Sequence, residues 1–251
     1  MIRDEAQKRN LKLVLAVADE AGSHPWTTEA TQHYNRLIKQ EVPDVIRELT
    51  VGGGWAMKRP EHELWKGLIN IWTTNRWLPE QFALVRANDP EAKFQLYNMG
   101  GAGSQAGGLQ SVRNLYGFFN WKAKAHGVAQ WVYYHDGTPE HNYTWPAQNA
   151  PGSAAQGNVP TLRWEAMREG VKDRRYIATL EARLVGKGDK AAMLVAEARE
   201  FLKKIELQIE LRHLDYDAIS GGRIPAQAAG VYEQWREKVA ELIEKLSQSK
   251  G

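Results

Sequence analysis

The fold is decided by Lys12-Leu13-Val14-Leu15-Ala16-Val17-Ala18-Asp19-Glu20, a stretch that closes with Ala21-Gly22-Ser23-His24-Pro25. A largely apolar run without a polar break describes a strand buried on both faces, as in a parallel sheet. Two acids end it and a Gly-Ser-His-Pro loop follows. In α/β barrels the ends of strands and the loops after them carry the chemistry. Adjacent residues on a regular strand point to opposite faces, so Asp19 and Glu20 share a pocket only where the strand is already turning, as before Gly22. An Asp and a Glu paired there can divide acid and base roles. The alternative is a solvated strand end whose acids cap the next helix.

Outward from that stretch, the first two thirds of the chain alternate between helix and strand. Residues 2–10 read as a helix leading into the opening strand. Thr28 to Gln40 is the next helix, capped by Thr27 or Thr28 with Glu29 in its first turn, and Pro43 ends it. Ile46 to Val51 reads as a strand stopped by Gly52-Gly53-Gly54. A short helix near Glu61–Lys66 precedes the strand Leu68–Thr74; Leu78–Val85 is helical and Ala92–Asn98 a strand. After a glycine-rich loop from Gly100 to Gly108, the helix Leu109–Ala125 ends at Gly127, and Val128–Tyr134 is the last strand. Strands separated by helices of this length imply right-handed crossovers and a parallel sheet. The expected fold is α/β: a partial (β/α) barrel of about five parallel strands, followed by a C-terminal helical region.

A closed barrel has eight strands. The expectation is therefore a fragment, or a protein whose upstream half lies elsewhere, with residues 1–160 as the later part of the barrel. Its open sheet edge would take the missing N-terminal half or a second copy. Residues 136–160 hold four prolines and read as a long loop. From Thr161 to residue 251 three helices follow, a tail packed on the barrel. Apolar stripes at helical spacing mark them: Trp164, Met167, Val171, Leu180 and Leu184; Val195, Leu202, Ile205 and Ile209; Val231, Trp235, Val239, Leu242 and Leu246. Such stripes are core, which predicts burial of Trp164 and Trp235.

Composition excludes several classes of function. Lys plus Arg number 33 against 30 Asp plus Glu, and a net charge of +3 points to neither nucleic acid nor an anionic membrane. Cysteine is absent, which removes disulfides, thiolate metal sites and cysteine nucleophiles. No apolar run approaches the roughly 20 residues of a membrane span, and Met1–Arg9 is too polar for a signal peptide. Ten tryptophans suit a cleft for ligands with flat apolar faces, sugars among them, and equally suit a core.

Gly101-Ala-Gly103-Ser-Gln-Ala106 formally matches the dinucleotide fingerprint, but no strand-end acid lies about 20 residues further on, and Gly107 and Gly108 lengthen the turn. No cofactor is expected. The histidines show no metal spacing, and no G-x-S-x-G elbow or P-loop is present. His24 and His135 follow strand ends, where they can touch a ligand.

Pro160-Thr-Leu-Arg-Trp-Glu-Ala-Met-Arg-Glu-Gly-Val-Lys-Asp-Arg-Arg-Tyr176 resembles the R-W-E-x-x-R-E-G-x-x-D-x-x-Y signature that closes catalytic domains of glycoside hydrolase family 123. Tyr97-Asn98, Arg113, Gly117, Trp121, Gly127 and Trp131 fit the same family's late barrel pattern, and Asp19-Glu20 stands where those proteins carry adjacent Asp and Glu. The resemblance covers most of residues 11–180; the 160–176 motif is its most specific part. The family's first barrel strands and its usual N-terminal β-domain have no counterpart here. Its full-length members are expected to be exported bacterial proteins.

The resemblance implies a retaining hydrolase of terminal β-linked N-acetylgalactosamine that works by substrate assistance, without a protein nucleophile. The residue matching Asp19 would hold the acetamido N–H and stabilise the charged oxazolinium; the residue matching Glu20 would protonate the leaving oxygen. Around them, Trp72, Tyr97 and Trp131 lie near strand ends, where they stack on sugar faces or pack the barrel. Asn75, Asn98 and His135 sit at or just past strand ends, within reach of hydroxyls, and Arg113 reaches the loop above the site or is a helix-surface charge. Arg163, Glu165, Arg168, Glu169 and Asp173 read as an ion-pair network docking their helix to the barrel. The competing reading is a non-catalytic carbohydrate-binding or scaffold piece.

Overall fold

A computed structural model describes residues 2–17, 25–51, 63, 65–74, 79–97, 108–129, 144–146, 158–185, 191–211, 227–228 and 230–249. Along the first half run α1 (Ile2–Lys8), β1 (Val14–Ala16), α2 (Pro25–Glu41), β2 (Ile46–Val51), β3 (Ile71–Thr74), α3 (Pro79–Asn88) and β4 (Lys93–Tyr97). Then come α4 (Leu109–Asn114), a π-helical turn (Leu115–Phe119), α5 (Asn120–Ala123), β5 (Gly127–Ala129), β6 (Thr144–Pro146) and β7 (Asn158–Pro160). The helices α6 (Leu162–Arg183), α7 (Ala192–Gln208) and α8 (Val231–Gln248) complete the order. The chain forms two compact units that interleave along the sequence. One is Met1–Met99 with Ala125–Ala129 and Arg212–Ala218; the other is Gly100–Lys124 with Gln130–Leu211 and Ile219–Gly251.

In the first unit, five parallel strands in the order β1-β2-β3-β4-β5 curl into a partial (β/α) barrel. Strand order equals chain order because each strand pairs with the next after a crossover. Of the described residues of the opening run, Val14–Ala16 pair as a strand at the end of the strand order, with Val14 and Ala16 exposed and Leu15 half-buried. The expectation of burial on both faces is corrected here: Val14 and Ala16 share a face by alternation, and both are exposed. The salt bridge from Arg3 to Asp44, at 2.7 Å, ties α1 to the turn before β2. Helix α2 begins at Pro25, earlier than the expected Thr28, because proline needs no N–H partner at a first helical position. Thr27 and Thr28 are thus inside the helix, and the Thr27 carbonyl accepts from Thr31 Oγ1 at 2.8 Å.

One face of the sheet is dry. Leu49 and Val51 of β2, Trp72 and Thr74 of β3, and Phe94 and Leu96 of β4 share it by alternation, and all are buried. Helix α3 covers this face: Phe82 packs on Phe94 with ring centroids 4.5 Å apart, and the Arg86 guanidinium lies 4.9 Å from the Phe94 ring.

The second unit is helical. From α4 through the π turn into α5 the backbone is continuous, and every residue from Ser111 to Asn120 is buried. Helix α6 crosses this run where both are glycine. A Cβ on Gly170 would stand 2.4 Å from the Arg113 carbonyl oxygen and 2.9 Å from Tyr116 Cβ, and one on Gly117 would stand 3.0 Å from the Gly170 oxygen. α6 and α7 both pack on α8, and the shared core gathers Phe118, Ile177, Leu180, Ala198, Leu202 and Tyr232. Phe118 stacks on Tyr232 at 5.3 Å and meets Trp235 edge-on at 5.0 Å. Trp235 is buried as expected, whereas Trp164 is half-buried.

Charges join these helices. Asp173 of α6, fully buried, takes two hydrogen bonds from Arg113 of α4, Nε–Oδ2 at 2.6 Å and Nη2–Oδ1 at 3.1 Å. Arg113 also pairs with Glu233 of α8, and Arg236 of α8 pairs with Glu169 and lies 3.4 Å from Asp173. Arg168–Glu165 and Lys172–Glu169 pairs lie along α6 itself. Burial pushes the Asp173 carboxyl up against the pull of both arginines. Burial works against the Arg113 charge, and Asp173 and Glu233 override it and raise the guanidinium pKa.

Residues 144–146 and 158–160, expected within a loop, form an antiparallel pair with Thr144 opposite Pro160 and Pro146 opposite Asn158. Two prolines in six paired residues hide the strand pattern, since proline cannot donate to a ladder.

Two outcomes follow. Gly170→Ala gains up to about 1 kcal/mol of helix propensity, but its methyl meets backbone. A net loss on the order of 2 kcal/mol is expected from urea denaturation, and an alanine variant as stable as the parent would place the crossing elsewhere. Glu169, held down to about 2 by the Lys172 hydrogen bond and Arg236, is depressed from an ordinary 4.5. A depressed carboxylate stabilises the fold above its unfolded pKa. The stability difference between parent and Glu169→Gln should be full above pH about 4.5 and shrink as pH falls toward about 2. A difference independent of pH would contradict the ion pairs.

Candidate functional site

The register that sends Leu49, Trp72 and Phe94 to the helices sends their neighbours to the opposite face, which in a barrel lines the interior. Thr50, Thr73, Gln95 and Gly127 form one cross-strand row there, and Ala16, Glu48, Ile71 and Lys93 form the row below it. Barrel interiors are dominated by bulky branched side chains. Here Ile71 alone in these two rows is of that kind; beside Ala16 and Gly127, the rest are the carboxylate of Glu48, the hydroxyls of Thr50 and Thr73, the amide of Gln95 and the ammonium of Lys93.

Within this surface the Thr73 hydroxyl donates to Glu48 Oε1 at 2.5 Å, the length of a charge-assisted O–H···O⁻ bond. Thr73 is 4% exposed, while Glu48, Thr50 and Gln95 are half-buried. β2 runs on from Glu48 to Val51, so the Glu48 backbone lies about 10 Å below the carboxyl end of its strand. Thr73 is the residue before the end of β3, so the bond lifts the carboxylate toward that edge. Gly127 lies beside Gln95 in the row, and a Cβ there would make ordinary contact with Gln95 Cγ at 3.4 Å. The set offers an anionic acceptor, an amide that gives and accepts, and a second hydroxyl. That is suited to a ligand rich in hydroxyl or amide groups. Among the described residues no three His, Asp or Glu side chains come together as a metal site would need.

At the amino end of β5, His126 closes the ladder. Its N–H donates to the Phe94 carbonyl at 2.7 Å, and its Nδ1 accepts from the Phe94 N–H at 3.1 Å. Burial, with Lys93 and Arg86 nearby, lowers the imidazole pKa and favours the neutral ring that can accept.

The residues expected from the sequence fall into three groups. Asp19, Glu20, Asn75, Asn98, Trp131 and His135 lie outside the described residues. Tyr97 ends β4 opposite Ala129, its backbone in the row above Gln95 and Gly127, and its side chain is also outside the description. Trp72 is on the helix-covered face, 2% exposed, with its indole N–H lacking a hydrogen-bond partner. That is barrel packing, one of the two roles expected for it. Arg113 belongs to the helical unit, where Asp173 and Glu233 hold its guanidinium and the Tyr232 ring lies 5.3 Å away. The surface-charge alternative for Arg113 is corrected: the side chain is 5% exposed. Glu48, Thr50, Thr73 and Gln95 were not expected. Their signal is the period of two in Ile46-Arg-Glu-Leu-Thr-Val51, where Glu48 and Thr50 alternate with Leu49 and Val51.

No protein-family model matches the chain, and no curated protein matches it.

Because Trp72 packs against helices, Trp72→Ala should cost about 3–5 kcal/mol of stability. Urea denaturation of the sheet unit, followed by a probe outside the helical unit, measures it. A variant as stable as the parent would return Trp72 to the ligand-binding set.

Proposed function

We propose that this chain carries the acid–base pair of a glycoside hydrolase-like protein that cleaves terminal β-linked 2-acetamido sugars, of the N-acetylgalactosamine type, with retention. The observation that carries the reading is the Asp19-Glu20 pair, which follows β1 in a sequence whose five strands run parallel. A parallel sheet has a single carboxyl edge, from which the chain leaves β1, β3, β4 and β5 toward the segments that hold most of the expected site residues. The polar face of the sheet and the R-W-E-x-x-R-E-G-x-x-D-x-x-Y resemblance support the same reading.

The substrate's acetamido oxygen attacks the anomeric carbon and forms a C–O bond while the glycosidic C–O bond breaks. Glu20 delivers its proton to the leaving oxygen. Asp19, ionised, accepts the acetamido N–H and offsets the positive charge of the oxazolinium. Glu20, now a carboxylate, takes a proton from water as that water opens the oxazolinium on the original face. Two adjacent carboxyls favour this division, since each disfavours ionisation of the other and pushes their pKa values apart.

A closed barrel has eight strands, three more than the described sheet, and among the described residues β1 pairs on one side, with Leu11 and Val14 exposed. An upstream half or a second copy covers that edge in the proposed enzyme. The open edge equally suits the second reading, a carbohydrate-binding or scaffold piece, and activity decides between them. Assayed with the completing strands supplied, Glu20→Gln should slow substrates with poor leaving groups by roughly 10²–10⁴-fold, and activated aryl glycosides much less. Asp19→Asn should slow both. Sugar binding with turnover indifferent to both substitutions would leave the binding reading.

A further inference from the structure

The polar rows on the ligand-facing side of the sheet contain a charged group for which the acid–base scheme has no use. Glu48 lies in the row of Ala16, Ile71 and Lys93, and Thr73, one row nearer the carboxyl edge, donates to its Oε1 at 2.5 Å. A carboxylate has about four acceptor sites, and Thr73 occupies one of them. Gln95 neighbours Thr73 in the same row.

A carboxylate fixed in rotamer by a buried hydroxyl is a costly ornament for a barrel interior, where branched apolar side chains would pack instead. It is well made for neighbouring hydroxyls on one ring face, each of which needs an acceptor when taken out of water. An amide beside it serves an oxygen that both gives and accepts. We infer that Glu48, oriented by Thr73 and flanked by Gln95, binds ring hydroxyls of the sugar on the floor of the site and so sets which hydroxyl configuration is accepted. This inference rests on the reading proposed above. Glu48 and Gln95 are binding residues in it, and Thr73 is a positioning residue.

The test is calorimetric titration of the full chain, with the completing strands supplied as in the activity assay, using the thiazoline derived from N-acetylgalactosamine, a mimic of the oxazolinium, and its deoxy analogues. Glu48→Gln should weaken thiazoline binding about 10–100-fold, and Thr73→Val and Gln95→Ala several-fold, with melting temperatures held. The deoxy analogue that lacks the hydroxyl bound by Glu48 should lose affinity for the parent chain and not for Glu48→Gln, a coupling that a merely structural role would not produce. If the parent binds the thiazoline and folded Glu48→Gln binds it equally well, the inference is overturned and the proposed function stands. If the parent itself does not bind, the proposed function fails and the inference with it. Should Glu48→Gln not fold, Gln95→Ala decides: unchanged affinity overturns the inference.

Discussion

A parallel ladder lets each strand show only alternate residues to one side, and the sheet unit depends on which set faces the helices. Leu49, Trp72 and Phe94 share one row, so a single register places three large apolar side chains against the helix layer at once. Slipping any strand by one residue would turn Glu48, Thr50 or Gln95 into that layer and strand them without water. Burial of the aromatic row is thus what holds the polar rows on the other side. Phe82 and Arg86 of α3, both on Phe94, lock the same register from above.

The helical unit answers a different constraint, close approach of backbones. With glycine at Gly117 and Gly170, α6 comes near enough for Arg113 to reach Asp173 with two hydrogen bonds in a fully buried setting. A carboxylate buried at that depth is costly unless its acceptors are filled. Arg113 fills them, and Arg236 of α8 adds a second positive charge at 3.4 Å. Glycine spacing therefore comes first and the buried ion pair second; widening the crossing would take the two Arg113 hydrogen bonds from Asp173 and leave it only Arg236. The signature residues Glu169, Gly170 and Asp173 are in this way one docking device, joining α6 to α4 and α8.

Alternation of helix and strand was legible from the apolar runs and their Gly and Pro breaks, because both signals are local. The parallel order followed from crossover length. The open edge at β1 was legible from the strand count, since parallel strands in chain order leave the first with one neighbour; the exposure of Val14 and Ala16 was not, because an apolar run reads alike whether or not a layer covers it. The β6–β7 pair escaped because its prolines remove donors and its strands are too short to show a period. The charge density on α6 was legible, but the partners were not: Glu169 and Asp173 join α6 to α8 and α4, Glu165 and Arg168 pair along the helix itself, and Arg113 precedes Asp173 by sixty positions while Glu233 follows Arg113 by 120. Glu48 was overlooked because attention to strand ends passes over a carboxylate in mid-strand, and only the bond to Thr73, twenty-five positions on, raises it toward the edge.

The two sides of the same five strands consequently answer to different physical constraints. The helix-covered side carries its energy in buried area, where each large side chain removed opens a cavity and the loss scales with volume. The other side is mostly polar, and the Thr73–Glu48 hydrogen bond on it has a small net worth to folding, because water competes for the same atoms. A change of residue type on that side alters what can bind far more than whether the sheet forms. That asymmetry is what allows a parallel sheet to keep a dry aromatic layer unchanged while its polar rows are fitted to a ligand, since neighbouring positions on one strand answer to separate physical demands.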